Sequence, residues 1–229
     1  MTIRDNIQTI GERIHAAEQR FGRKPGSVQL LAVSKKHSSA SIREAIDAGQ
    51  TRFGENYVQE MVEKAAELAN DNRNIEWHFI GPIQSNKTRL IASTARWVHS
   101  VDSLKIAQRL SEQKKPADAP AINICLQVNI SNEISKSGVQ PAELAALASQ
   151  IAALPGIRWR GLMAIPAPEH DFTQQRAVFA QVRALQEDLV AQGFALDTLS
   201  MGMTDDMEAA IAEGATIVRI GTAIFGSRA

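Results

Sequence analysis

Ile3, Ile7, Ile10 and Ile14 recur at helical spacing with polar and charged residues between them. Residues 2–20 are therefore predicted to form an amphipathic helix. Gly22-Arg23-Lys24-Pro25-Gly26 breaks that pattern. Beyond it, short apolar runs alternate with helical stretches. Strands are predicted at 30–34, 52–56, 75–80, 97–101, 122–129, 158–165, 198–203 and 217–225. Helices are predicted at 41–48, 57–68, after Ser85, and at 104–113, 141–154, 172–192 and 205–213, with Gly49, Gly193 and Gly214 as stops. Pro141 sits near the start of its helix, where a missing N–H costs nothing.

Every predicted strand but the last is followed by a helix, and parallel neighbours need such crossovers. Eight strands with seven helices between them in 229 residues match a compact (β/α)8 barrel, a TIM barrel, carrying one extra N-terminal helix. An open doubly wound sheet is the alternative. No Gly-x-Gly-x-x-Gly stands between the first strand and helix to support it. The Pro/Ala segment 116–120 is too short to separate domains, and there is no internal repeat, so 1–229 is read as a single domain.

Composition narrows the function. Lys plus Arg is 25 and Asp plus Glu is 25, so no basic excess marks a nucleic-acid binder. Aromatics at 5% are too few for base-stacking platforms. Cys125 is the one cysteine, which excludes an internal disulfide and a cysteine-built metal cluster. The N-terminus lacks the basic start and apolar run of a secretory signal, and no stretch approaches the length of a membrane span. A cytoplasmic protein without a membrane partner is expected.

In a barrel of this kind, function belongs at the C-terminal ends of the strands. The first such end is Ala32-Val33-Ser34-Lys35-Lys36. Strand parity sends the two lysines to opposite sides and gives Lys35 the face of Leu31 and Val33. A strand-end lysine reads either as a solvated cap or as an amine that attacks a carbonyl to form a Schiff base. The ends of strands seven and eight carry Ser200-Met201-Gly202-Met203-Thr204-Asp205-Asp206 and Arg219-Ile220-Gly221-Thr222. Glycine turns at these two neighbouring ends form the usual phosphate site of the fold. Thr204 is read as the N-cap of the next helix, and Asp205-Asp206 as charge complementing its dipole.

His78 and His99 have no His or carboxylate partner at metal-ligand spacing and are read as satisfied barrel histidines. Cys125 is read as an inert core thiol. Lys87 and Lys136 lie in polar loops after strands three and five, where they could face the barrel mouth or simply solvent. No Gly-x-Ser-x-Gly, P-loop or His-Glu-x-x-His occurs.

Together these motifs resemble one family. Leu31-Ala32-Val33-Ser34-Lys35, Phe53-Gly54-Glu55-Asn56-Tyr57, Trp77-His78-Phe79-Ile80-Gly81 and Gln84-Ser85-Asn86-Lys87 are similar to the pyridoxal-phosphate homeostasis proteins, bacterial members above all. So are Ser135-Lys136-Ser137-Gly138, Gly161-Leu162-Met163-Ala164, Ser200-Met201-Gly202-Met203 and Arg219-Ile220-Gly221-Thr222. That family looks like the N-terminal barrel of alanine racemase standing alone.

The resemblance implies that Lys35 holds pyridoxal 5'-phosphate (PLP) as a Schiff base. It places the phosphate against the Ser200–Met203–Thr204 turn and the Gly221-Thr222 backbone, Arg219 at the pyridine nitrogen, and Asn56 and Met163 along the pocket. It implies a carrier or regulator of vitamin B6 and amino-acid homeostasis, a monomer, with apo PLP enzymes as possible acceptors. An arginine beside the ring nitrogen disfavours ring protonation and weakens the electron sink. The related racemases take their second acid/base group, a tyrosine, from an extra C-terminal domain. Here the sequence ends at Ala229, after the eighth strand, and the one tyrosine is Tyr57. A non-catalytic PLP-binding role is therefore expected, with a minimal PLP-dependent amino-acid racemase, or related PLP enzyme, as the alternative. A cofactor-free, aldolase-type Schiff-base barrel is the third reading.

Overall fold

The computed structural model describes residues 2–71, 73–114, 120–131 and 137–226. Eight parallel strands close in sequence order: β1 Gln29–Val33, β2 Arg52–Glu55, β3 Glu76–Phe79, β4 Trp97–Val101, β5 Ile122–Val128, β6 Ile157–Ala164, β7 Thr198–Ser200 and β8 Ile217–Ile220. The β8–β1 seam closes the ring with Leu31 opposite Arg219. The helices are α1 Ile3–Arg20, α2 Ser39–Asp47, α3 Val58–Glu67, α4 Thr88–Thr94, α5 Leu104–Gln113, α6 Leu144–Ala152, α7 Phe172–Ala191, α8 Met207–Ala212 and α9 Thr222–Phe225. The chain is a (β/α)8 TIM barrel with an added N-terminal helix.

Helix α1 forms where the isoleucine stripe predicts it. Thr2 caps it through a reciprocal box with Asp5. Ile10, Ile14 and Ala17 are buried, and the helix packs on α2, α8 and α9. It thus covers the barrel wall that the one-turn α9 is too short to cover. Asn6 Nδ2 donates to the Ile224 carbonyl, and Arg13 pairs with Glu208 at 2.8 Å.

Three predicted boundaries shift at the barrel mouth. Strand eight was expected to reach Phe225, but it ends at Ile220, because the backbone turns at Gly221 and Thr222–Phe225 winds into a helical turn. Strand seven ends at Ser200 rather than 203, since Gly202 adopts a φ of +96° that no strand residue takes. Thr204 is not a helix cap. Asp206 occupies that place before α8, and its carboxylate accepts from the Met203 N–H at 2.6 Å. The helix predicted at 141–154 opens as a 3-10 turn at Pro141–Glu143. The segment 116–120 lies outside the described residues except for Pro120, and no helix among the described residues is long and apolar enough to cross a membrane.

Candidate functional site

At the C-terminal mouth of the barrel a cavity of about 270 Å³ collects residues from the ends of β1, β2, β7 and β8. Lys35, Asn56, Met203, Thr204, Arg219, Gly221 and Thr222 all line it. So do His37 and Asp205, which the sequence reading did not assign to it. Met163 and Ser200 are absent from the wall. Met163 is buried inside the barrel with Leu31, Trp97, Cys125 and Ile217, and Ser200 lies fully buried beneath Arg219. Lys87 and Tyr57 line a separate neighbouring groove, which touches the same Asn56. Lys136 lies outside the described residues.

Strand parity does not by itself place Lys35, because β1 stops at Val33. A pinned turn does. The Ser34 N–H bonds back to the Gly54 carbonyl, and Lys36 takes a left-handed φ of +63°. The Ser34 hydroxyl donates to Glu55 Oε1 at 2.6 Å. Lys64, projecting from α3, donates at 2.8 Å to both the Ser34 carbonyl and Glu55, and at 2.6 Å to Glu60. Glu60 in turn accepts the Lys36 N–H. Glu55 and Lys64 are buried, and burial raises the Glu55 carboxyl despite the opposing pull of Lys64. Removing one member of such a cluster leaves a buried charge uncompensated, so its physical role is to hold the Lys35 turn in one geometry. The signal for it is split between a strand end and a helix nine residues later, and neither half stands out alone.

Arg219 enters from β8, the strand paired with β1 at the seam, and is 4% exposed. Its Nη1 donates to the Ser200 carbonyl and hydroxyl, and its Nη2 to the Ala164 carbonyl, at 2.6 to 3.0 Å. Burial lowers the guanidinium to about 10, which leaves it cationic at neutral pH. Burial also raises the nearby Asp206 carboxyl. At Gly221 an added Cβ would stand 3.2 Å from the Val33 carbonyl, so this turn runs close against the strand that leads to Lys35. At Gly81 an added Cβ would collide with the Asn56 carbonyl, and that contact locks Asn56 at the mouth. Asn56 Oδ1 is buried with no hydrogen-bond partner among the described residues.

Cys125 is buried within the barrel, and burial pushes its thiol up to about 12, as an inert core cysteine requires. His78 and His99 do have partners: each other, at 2.9 Å between Nδ1 and Nε2. Both are fully buried, and burial lowers both imidazoles, His99 the further because His78 and Arg219 also face it. His78 is faced in addition by Glu76, which opposes the shift, and by Arg52. A histidine held below its unfolded value of about 6.5 takes up its proton only on unfolding. Stability is then complete above that value and falls as the pH drops below it. We expect a loss of up to about 1.4 kcal/mol per pH unit for each imidazole. Urea unfolding of the apoprotein between pH 7.5 and 5.5 measures this slope, and a flat profile would contradict it.

Three comparisons bear on this site. The family model described as alanine racemase, N-terminal domain, matches residues 3–229. A pyridoxal phosphate homeostasis protein of Pseudomonas aeruginosa is 59% identical over 227 residues, 99% of this chain and 96% of that protein. One from Escherichia coli K12 is 52% identical, covering 99% and 97%. Among solved structures, PipY of Synechococcus elongatus with PLP bound superposes with a TM-score of 0.84 at 39% identity, covering 98% of this chain and all of that one. The chain belongs to the alanine racemase N-terminal domain family and, within it, to the pyridoxal phosphate homeostasis proteins.

Proposed function

We propose that this protein binds PLP in the mouth cavity as a Schiff base with Lys35 and acts in the cytoplasm as a monomeric carrier or regulator of PLP and amino-acid pools, without catalytic turnover. One observation carries the reading: a single cavity gathers an amine, a buried guanidinium and two glycine-bearing turns. PLP brings an aldehyde that condenses with an amine, and a ring that withdraws electrons from the carbon attached to it. The donor set fits such a molecule. Lys35 supplies the amine, Arg219 a fixed cation, and the Met203–Thr204 and Gly221–Thr222 turns polar backbone beside the cavity. The buried Asn56 Oδ1 is an acceptor that a bound donor would satisfy. Met163 and Ser200 act from behind the wall.

An absorption spectrum before and after borohydride reduction, followed by peptide mapping of the labelled lysine, tests this. Label on Lys35 supports it; a colourless protein with no label after incubation with PLP would refute it. Homeostasis proteins as relatives favour a binding role. The PLP-enzyme reading draws on His37 and Asp205, two titratable groups on the same wall. Incubating the loaded protein with L-amino acids in deuterium oxide separates the two, because α-proton exchange at enzymatic rates belongs only to the enzyme. Apo PLP enzymes are the proposed acceptors of the carried cofactor.

The phosphate assignment predicts an order of effects. Thr222→Val removes one hydroxyl and should weaken PLP binding by about 0.5–1.5 kcal/mol at most. Gly221→Val should weaken it further, because a β-branched side chain must fit where even a Cβ is already at 3.2 Å from the Val33 carbonyl. Equilibrium dialysis decides, and equal affinities for wild type and Gly221→Val would remove that turn from the phosphate site.

A further inference from the structure

Beneath the cavity, a line of polar side chains crosses the otherwise apolar barrel interior. Glu76 Oε1 lies 3.0 Å from His78 Nε2, and His78 Nδ1 is 2.9 Å from His99 Nε2. His99 Nδ1 is 2.7 Å from the Ser200 hydroxyl, which is 3.0 Å from Arg219 Nη1. His78, His99 and Ser200 are fully or almost fully buried, and the Trp97 indole stacks on the His78 ring at 5.7 Å, 2° from parallel. We infer that Glu76, His78, His99 and Ser200 form one directional hydrogen-bond chain through the barrel that orders the Arg219 guanidinium from the far end of the strands. The importance of that order for the cofactor rests on the PLP reading above; the chain itself does not.

The direction follows from what each group can do. A carboxylate only accepts, so His78 must donate from Nε2. An arginine only donates, so Ser200 must accept from Nη1. The serine hydroxyl then gives its own proton to His99 Nδ1, and His99 donates from Nε2 to His78 Nδ1. Four links are filled by four protons, with both imidazoles neutral and both carrying Nε2–H. A further proton on either ring would set two N–H groups against each other or against the serine hydroxyl. Reversing the chain would leave His78 Nε2 unprotonated and aim its lone pair at the Glu76 carboxylate.

The chain determines which donors Arg219 has left. Nη1 is committed to the Ser200 carbonyl and hydroxyl, and one Nη2 proton to the Ala164 carbonyl. Among the described residues, the Nε–H and the second Nη2–H remain for the cavity that Arg219 lines. His99 and Ser200 are thus positioning residues for a guanidinium that cannot swivel, and Glu76 anchors the polarity at the opposite end. Burial of Glu76 is incomplete, and the His78 N–H holds its carboxyl below the usual range.

The test uses the full chain with histidine labelled at both ring nitrogens, measured by long-range nitrogen–proton NMR with and without added PLP. Both buried rings should be Nε2–H tautomers, with ring protons that exchange slowly. An Nδ1–H tautomer or a doubly protonated ring at either position would overturn the inference. Glu76→Gln removes the charge but keeps an amide oxygen that can accept from His78, and Arg219 still fixes the other end, so both rings should keep their Nε2–H tautomers. A His99 ring that turns to the Nδ1–H tautomer in a folded Glu76→Gln protein would show that Arg219 and Ser200 do not set the direction, and would overturn the inference. Ser200→Ala should speed exchange of the Arg219 guanidinium protons roughly tenfold, as expected for loss of one charge-assisted bond; unchanged exchange would count against the ordering of Arg219. These readouts need no cofactor, so they can fail while borohydride still labels Lys35, and the reverse.

Discussion

Lys35→Ala, incubated with PLP, stays colourless and takes no borohydride label, while its unfolding midpoint remains close to that of the wild type. The expectation follows from where the side chain sits. Lys35 is half-buried on the cavity wall and contributes nothing to the apolar core, whereas its turn is held by main-chain and neighbouring side-chain bonds that survive the substitution. Substitutions away from packed features usually change stability by less than about 0.5 kcal/mol. Lys36→Ala is the control. The Lys36 side chain is exposed, its N–H is bound to Glu60, and its left-handed backbone turns it off the cavity wall. It should leave colour and label intact. If Lys36→Ala lost the visible absorbance and Lys35→Ala kept it, the assignment of the amine would be wrong. A weak residual absorbance in Lys35→Ala would point to a second amine, from Lys87 or Lys136.

Arg219→Glu should lose several kcal/mol of stability before any effect on the cofactor can be read. From sequence the substitution promises a simple inversion of the field at the ring nitrogen. The structure adds a cost. Ser200 O, Ser200 Oγ and Ala164 O would each lose a donor, and a new carboxylate would be buried among them with Asp206 nearby. At about 1–3 kcal/mol for each buried group left without a partner, the loss approaches the whole stability of a typical domain, about 5–15 kcal/mol. Urea unfolding of the apoprotein would check this, and a Glu variant as stable as wild type would show that the guanidinium is not the hub of these bonds. Arg219→Lys separates charge from geometry. It keeps a cation but cannot present the fork that reaches both Ser200 and Ala164. A smaller stability loss, with a shifted absorbance of bound PLP, is expected there. A native spectrum in a folded Arg219→Lys protein would argue that charge alone, rather than the orientation of the fork, sets the ring's electronics.

The sequence by itself determined the barrel and most of its mouth. Eight apolar runs separated by amphipathic stretches leave few alternatives, because each strand must be buried on both faces and each crossover must cover one of them. Isoleucines at helical spacing made α1 legible, and lysine, arginine and glycine at strand ends marked residues that the fold does bring to one cavity. Local strand boundaries near the mouth were less legible. Gly202 takes a left-handed turn that ends β7 early, β8 stops where Thr222–Phe225 winds into a helical turn, and periodicity is blind to φ.

What only the tertiary structure decided is the support behind the site. Lys64 reaches the Lys35 turn from α3, and His78, reading in the sequence as an isolated histidine, finds His99 on the next strand. Ser200 lies between His99 and Arg219, and Met163 packs in the inner core. These pairings join residues up to 101 positions apart and depend on which side chains meet across the closed ring. Strand periodicity assigns a residue to one face of its own strand. It carries no information about which partner the closure of the barrel will set opposite, and the polar chemistry of this interior is made of those oppositions.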